Sequence, residues 1–297
     1  MQIQGTTKLL AIIGDPVEHS LSPAMHNAAI AHLGIDYVYV PCPVKSADLA
    51  IALAGFAAIG LKGFSITIPH KQAIIPLLSE VSPLAKSVGA VNTVWQTEKG
   101  WVGTNTDVEG FLAPLRSLNR DWQNTKTVIL GAGGASRAVV AGCTELGCRD
   151  IHVVGRNPQK LATFAESWLT APIPVKLTIH PWSELSTLLS TTDLLVNTTP
   201  VGMYPQVDRS PLHDADFTQV HPQTIVYDLI YTPSPTQFLK QAKTVGAIAI
   251  DGSEMLVQQG ATALKIWIEQ PVPVQVMRQA LQQKLGIAAP SGRSNIN

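Results

Sequence analysis

The sequence predicts an α/β protein: a first α/β domain, a doubly wound parallel sheet, and two closing helices that return to the first domain. Three observations carry this. Short β-branched runs alternate with helix-length amphipathic segments along nearly the whole chain, the pattern of βαβ units. One such run, 127–130, passes through Gly131-Ala132-Gly133-Gly134-Ala135-Ser136 straight into an apolar helical start. After a sixth strand of that second sheet, two helical segments remain, near 253–269 and 273–285, which the sheet does not need.

In order, residues 8–13 read as a strand and 14–20 as a loop. Ser22-Pro23 opens a helix, with Ser22 as N-cap and Pro23 at the first helical position, closed by Gly34. A strand at 37–42 alternates aromatic and β-branched residues. Ser46 caps a helix ending near 60, and 64–68 is a third strand. Helices follow at Pro69-His70-Lys71 and at 83–88. Residues 90–95 and 101–104 form a hairpin around Glu98-Lys99-Gly100. Asp107 begins a helix to about 118, and polar 119–126 is a linker. Strands are then expected at 127–130, 151–154, 175–179, 193–197, 224–229 and 247–250. Helices are expected at 134–146, 158–169, 182–190 and 236–245. The expected domains are 1–106, 107–252 and the helices 253–286, with 287–297 a flexible tail.

The 297 residues suffice for two domains, and 45% hydrophobic with 14% charged residues describes substantial cores. A formal net charge of 0, without a long basic run, argues against nucleic acid or an anionic membrane as partner and for a small molecule. Cys42, Cys143 and Cys148 are an odd number without a CxxC pair, so neither a disulfide framework nor a zinc site is expected. Reduced thiols and a cytoplasmic location are the expectation. The apolar run 9–13 is too short for a signal core or a membrane span.

The glycine turn lets the backbone approach a pyrophosphate, and the free N–H groups of the new helix point at it. GxGxx alone is weak; between a strand and a helix it has the required context, against the alternative of an ordinary βα turn. Ser136 at the last motif position keeps a small side chain there. This makes the second domain Rossmann-type. Its second strand ends in Gly155-Arg156-Asn157-Pro158-Gln159-Lys160, without the carboxylate that would accept a ribose 2′-OH. Arg156 can fork onto a 2′-phosphate, Asn157 can donate, and Lys160 adds charge, so NADP is expected over NAD.

Four polar clusters fall at element ends in the first domain. Ser20 and Ser22 place two hydroxyls beside a helix N-terminus, suited to a carboxylate. Thr67 to Lys71 puts a lysine just past a strand end. Gly89 to Thr93 and Gly103 to Asp107 follow. Singly, Lys71 is a solvated lysine and Asp107 a helix start. Beside a nicotinamide site they gain meaning, because reducing a carbonyl leaves an alkoxide that needs a proton. A lysine can give it while a carboxylate holds that lysine and a substrate hydroxyl.

The stretch Gly14-Asp-Pro-Val-Glu-His-Ser20-Leu-Ser22-Pro-Ala-Met-His26-Asn27 resembles the shikimate-binding signature of the shikimate dehydrogenase family. Thr67-Ile-Pro-His-Lys71, Gly89-Ala-Val-Asn92-Thr93 and Asn105-Thr106-Asp107 resemble its next blocks. So do Gly131 to Arg137, Asn197 to Met203, Asp228-Leu-Ile-Tyr231-Thr-Pro, and Asp251-Gly252 to Gly260, all in order. The resemblance implies NADPH-dependent reduction of 3-dehydroshikimate to shikimate in aromatic amino-acid (chorismate) biosynthesis. By position, Ser20 and Ser22 would hold the carboxylate with Tyr231. Thr67, Asn92, Asp107 and Gln259 would bind ring hydroxyls, Lys71 would be the acid/base, and Asp107 would assist it. Gly131, Ala132, Gly133, Gly134 and Ala135 would cradle the pyrophosphate, and Arg156, Asn157 and Lys160 the adenosine end. Thr199, Leu229 and Gly252 would lie along the nicotinamide. Gln259 on a late helix gives the closing helices a reason to return to the first domain. Gly155 and Asn157 around Arg156, Ser65 and Val108 depart from the usual pattern. The alternatives are a quinate/shikimate dehydrogenase using NAD(P) and a non-catalytic ligand sensor; a homodimer is compatible with all of these.

Overall fold

A computed structural model describes residues 2–286; the tail 287–297 lies outside them. In chain order the elements are β1 Lys8–Gly14, α1 Ser22–Leu33, β2 Tyr37–Pro43, α2 Leu49–Ala58, β3 Gly63–Ile66, α3 His70–Ala73 and β4 Glu80–Val81. Next come α4 Pro83–Val88, β5 Thr93–Thr97, β6 Gly100–Thr104, α5 Asp107–Arg116, β7 Lys126–Leu130, α6 Gly134–Glu145, β8 Asp150–Gly155 and α7 Pro158–Leu169. The chain continues with β9 Thr178–Pro181, α8 Leu185–Leu189, β10 Leu194–Asn197, α9 Asp214–Phe217, β11 Ile225–Asp228, α10 Gln237–Thr244 and β12 Ile248–Ile250. It closes with α11 Ser253–Ile268 and α12 Val274–Leu285.

These elements group into two compact units. The first takes the described residues of Met1–Glu80, Val91–Gly103 and Gly260–Asn297; the second takes Val81–Ala90 and Thr104–Gln259. Boundaries read from sequence at 106/107 and 252/253 differ by the transfer of 81–90, 104–106 and 253–259 to the second unit.

The first unit is built on a six-stranded mixed sheet in the order β2-β1-β3-β5-β6-β4. β1 runs parallel to β2 and β3, and β3 antiparallel to β5. Leu10 to Ile13 form an unbroken apolar run because the strand is covered on both faces. The C-terminal helices pack here. α12 lies along α1, and Trp267 of α11 donates from Nε1 to the Val94 carbonyl at 3.0 Å. Gly63 makes that contact possible, since a Cβ there would stand 2.3 Å from the Trp267 ring.

The second unit holds a six-stranded sheet in the order β12-β11-β10-β7-β8-β9, parallel throughout. Counted from β7, this is the 3-2-1-4-5-6 order of a dinucleotide-binding fold. One face packs on α5, α6 and α7, with Phe111 stacked on Tyr227 at 5.3 Å between centroids. The other packs on Leu188, Leu189, Phe217 and Phe238. α6 closes with both bonds of a glycine C-cap, Gly147 N–H to Thr144 O at 3.0 Å and Cys148 N–H to Cys143 O at 2.9 Å. The two cysteines supply the accompanying apolar contact, as free thiols.

Several local expectations shift. Ser22 is not an N-cap: α1 starts on it, Leu21 takes the cap position, and no side chain caps the helix. Ser46 likewise caps nothing, and a short 3-10 turn precedes α2. The third strand of the second sheet begins at Thr178 rather than 175, and the helix expected at 182–190 divides into a 3-10 turn and α8.

Candidate active site

In the first unit, β1 and β3 end side by side, Ile13 opposite Ile66. Their carboxyl ends carry the polar residues, as expected for a ligand site at strand ends. Gly14 abuts Thr67 so closely that a Cβ would stand 2.4 Å from its methyl group, and Thr67 N–H donates to Ile13 O at 2.9 Å. Ser20 Oγ accepts from Ser22 N–H at 3.3 Å, fixing the two-serine turn. Ser20 is half-buried, whereas Ser22 is only 5% exposed. Burial raises the Tyr39 phenol above its ordinary range, and Ser65, like Ser22, is buried.

Lys71 sits in α3, just past β3. Its carbonyl accepts from Val91 N–H at 2.8 Å, which sets Asn92 beside it in the backbone. Asn92 is buried, its carbonyl accepts from Ile66 N–H at 2.8 Å, and its Oδ1 accepts from Thr93 Oγ1 at 3.0 Å. Four predicted residues, Ser20, Ser22, Thr67 and Lys71, and Asn92 with them, therefore lie around adjoining strand ends. His26 is an unforeseen neighbour. It stacks on Tyr39 at 4.0 Å, binds Ser22 O through Nδ1 at 2.8 Å, and is lowered to about 4, chiefly by burial.

In the second unit, Asp107 is the first residue of α5, where a carboxylate complements the helix dipole. Asn105 Oδ1 accepts its N–H at 2.9 Å, and Asn105 Nδ2 donates to Ala90 O at 3.0 Å. One turn on, Gly110 lets α11 approach: a Cβ there would meet Met255 O at 2.6 Å and Gln259 Cβ at 2.9 Å. Asp107 lies one turn before Gly110 on the same face of α5. Gln259 Nε2 donates to Leu256 O at 2.9 Å.

The glycine turn has the form its sequence requires. Gly131 is left-handed at φ +107, and a Cβ would stand 2.8 Å from Thr198 Oγ1. Gly133 and Gly134 are different: a Cβ at either meets no atom within 4 Å. No packing demands glycine there, and its absent side chain leaves open backbone at the N-terminus of α6, the space a pyrophosphate needs. Ala132 and Ala135 complete the turn, and Ser136 Oγ donates to Gly133 O at 2.6 Å. Gly131 N–H donates to Val154 O at 2.8 Å, setting the turn beside the end of β8. Arg156, Asn157 and Lys160 are exposed there. Asn157 caps α7, its Oδ1 accepting from Lys160 N–H at 2.9 Å, so its amide nitrogen is what it offers a ligand. These residues fit a phosphorylated dinucleotide.

At the ends of β10 and β11, Asn197 and Asp228 are opposite and fully buried. Asn197 Nδ2 donates to Asp228 Oδ1 at 3.0 Å, and Asn197 Oδ1 accepts from Thr199 N–H and Oγ1 at 3.0 and 2.7 Å. Asp228 also accepts from Thr236 Oγ1 at 2.7 Å and Ile230 N–H at 3.2 Å. Burial pushes its carboxyl up to about 6 against those bonds. The network fixes Thr199 and the Leu229 to Tyr231 turn. Tyr231 is half-buried and its phenol is raised by burial. A Cβ on Gly252 would stand 2.0 Å from Leu229 O, so glycine is obligatory there. Arg137, Asn197 and Asp228 lie in motifs visible in the sequence, but no role is legible for them there.

Models of the shikimate dehydrogenase substrate-binding domain, of shikimate/quinate 5-dehydrogenase and of the shikimate 5′-dehydrogenase C-terminal domain match residues 12–94, 115–251 and 252–282. The chain is 61% identical over 287 residues to the shikimate dehydrogenase (NADP(+)) of Trichormus variabilis, covering 96% of this chain and 99% of that one. Shikimate 5-dehydrogenase of Thermus thermophilus, solved with NADP(H) and shikimate, superposes with a TM-score of 0.82 at 34% identity, over 93% and 99% of the two chains. The ligand-free 5-ketofructose reductase of a Gluconobacter strain gives 0.85 at 32% identity, over 95% and 100%. Family models over most of its length and a relative of this identity place the chain in the shikimate dehydrogenase family.

Proposed function

We propose that this chain is an NADP-dependent shikimate dehydrogenase, catalysing the reversible reduction of 3-dehydroshikimate to shikimate. The observation that carries the reading is the joint occurrence of two elements. One is a glycine turn left open at Gly133 and Gly134, with exposed Arg156 in place of a carboxylate. The other is the set Ser20, Ser22, Thr67, Lys71 and Asn92 at the carboxyl ends of β1 and β3. The identity to relatives named for this activity supports it.

NADPH supplies the hydride when bound. The chain's own residues do the rest. Gly131 to Ala135 carry the pyrophosphate, and Arg156, Asn157 and Lys160 hold the adenosine end. Thr199, Leu229 and Gly252 line the nicotinamide, the last by removing a side chain. Ser20 and Ser22, with Tyr231, bind the substrate carboxylate. Thr67, Asn92, Asp107 and Gln259 bind ring hydroxyls. Lys71 gives its proton to the oxygen of the reduced carbonyl and takes it back in the reverse direction. The protein acts on a small molecule, in the cytoplasm, as monomer or homodimer. Among the described residues no helix is long and apolar enough to cross a membrane.

The test is NADPH formation from shikimate and NADP⁺, run beside quinate and beside NAD⁺. Turnover greatest with shikimate and NADP⁺ is the expected result. A preference for quinate or NAD⁺ would contradict it, as would binding without turnover.

A further inference from the structure

The sheet of the second unit sends loops off the carboxyl ends of β10 and β11, and the side chains at their roots are polar and fully buried. These are Asn197 and Asp228, opposite each other in the register. Each of their side-chain oxygens and nitrogens has a partner. Asn197 Nδ2 donates to Asp228 Oδ1 at 3.0 Å and to Val201 O at 3.4 Å, and its Oδ1 accepts from Thr199 N–H and Oγ1. Asp228 Oδ1 also accepts from Ile230 N–H, and Oδ2 accepts from Thr236 Oγ1, the N-cap of α10.

Apart from each other, the pair bonds only to atoms beyond the strand ends. Residues 199–201 hang from Asn197. Residues 229–230 hang from Asp228 and from Leu229 N–H, which donates to Asn197 O at 3.2 Å. Gly252 follows them, its N–H donating to Ile230 O at 3.1 Å. These segments carry Thr199, Leu229 and Gly252, the residues assigned above to the nicotinamide. Packing alone gives no reason for polar side chains here. Burial opposes the Asp228 charge, and two apolar side chains of similar volume would avoid that cost. They would not hold the loops, whereas a fully satisfied buried network makes them rigid.

We propose that Asn197 and Asp228 are positioning residues for the nicotinamide end of the dinucleotide. They act through Thr199, Leu229 and Gly252 and take no part in binding the adenosine end. This role rests on the NADP reading of the site given above. It follows from the geometry that a change at either residue moves the loops and not the glycine turn at 131–135 or the Arg156 end of β8, to which neither side chain bonds. Hydride transfer depends steeply on placement, a shift of about 1 Å being enough to cost about 10²-fold. A pair that touches no reacting atom therefore bears on turnover.

Calorimetric titration of the full chain with NADP⁺ and with 2′-phospho-ADP-ribose, which is NADP⁺ without the nicotinamide ring, separates the two ends. In N197A the Kd for NADP⁺ should rise about tenfold, while that for 2′-phospho-ADP-ribose stays within about twofold of wild type. D228N, the conservative variant, can keep every bond of the carboxylate by donating to Thr236 Oγ1, and should bind both ligands as wild type does. Should N197A fail to fold, N197L/D228L decides. Replacing both partners leaves neither unpaired, so this variant should fold, yet bind NADP⁺ about tenfold more weakly and the fragment as before. Equal losses for the two ligands, or unchanged affinities, overturn the proposal. Shikimate turnover by the wild type is read beside these titrations. Its absence counts against the dehydrogenase reading, whereas the comparison of the two ligands decides the positioning role in either case.

Discussion

Arg137 Nη2 donates to the Ser87 carbonyl oxygen at 2.8 Å, tying the first turn of α6 to the last turn of α4. The same guanidinium binds Val88 O and Ser167 Oγ and lies over the Trp168 ring at 4.9 Å. Burial lowers its proton affinity from the ordinary arginine value. A cation at a helix C-terminus, forked onto carbonyls, is what no other side chain supplies. Arg137→Met should cost about 2–3 kcal/mol, from charged hydrogen bonds lost and carbonyls left unpaired. Arg137→Lys should recover less than half of that. Urea denaturation checks both; a lysine variant as stable as wild type would remove the fork from the explanation.

The three glycines of the turn separate two reasons for glycine. Gly131→Ala meets Thr198 Oγ1 and a left-handed backbone, so it should destabilise the fold by about 1–3 kcal/mol. Gly133→Ala meets no protein atom; stability should stay within about 0.5 kcal/mol, while the NADPH KM rises. An unchanged KM in G133A would mean that the open backbone is not the pyrophosphate site.

Arg156 is exposed at the end of β8, and the proposed function puts there the phosphate that distinguishes NADPH from NADH. Arg156→Ala should weaken NADPH binding by about 1.5–3 kcal/mol, the range for a charged hydrogen bond, and leave NADH nearly unaffected. Equal losses for both cofactors would take selectivity away from Arg156.

Asp228 gives a pH signature. Burial raises its folded value to about 6 from 3.8, so the native state holds this proton more tightly than the unfolded chain. Its contribution is therefore fully present below pH 3.8, falls as pH rises from about 4 to 6, and is constant above. The loss is of the order of 3 kcal/mol. Asp228→Asn can keep all its bonds, accepting from Asn197 and Ile230 and donating to Thr236 Oγ1. It should fold and flatten the stability profile between about pH 4 and 6. A slope identical to wild type would assign it to other groups.

The alternation of strands and helices and the glycine turn follow from the sequence because each is local or period-bound. What escapes is set by partners far along the chain. Ile173 N–H is taken by Ser87 Oγ at 3.0 Å, which holds the approach to β9 irregular although 175–179 alternates like a strand. Arg137 acts on backbone carbonyls, which carry no sequence signal. Ser22 resembles an N-cap by type, yet it is the first residue of α1 and Leu21 takes the cap position. Among candidate site residues, those at strand ends and helix starts are legible. The crossing of α11 over Gly110 depends on tertiary packing and is not.

The most direct test of the account is Lys71→Met, assayed for NADPH formation at saturating shikimate and for shikimate binding in the absence of turnover. Methionine keeps the length of the side chain and removes the proton. The account predicts a fall in kcat of about 10²–10⁴-fold, with shikimate affinity changed far less, because the group is needed mainly in the transition state. Near-normal kcat would contradict it, and the acid/base would have to be sought elsewhere.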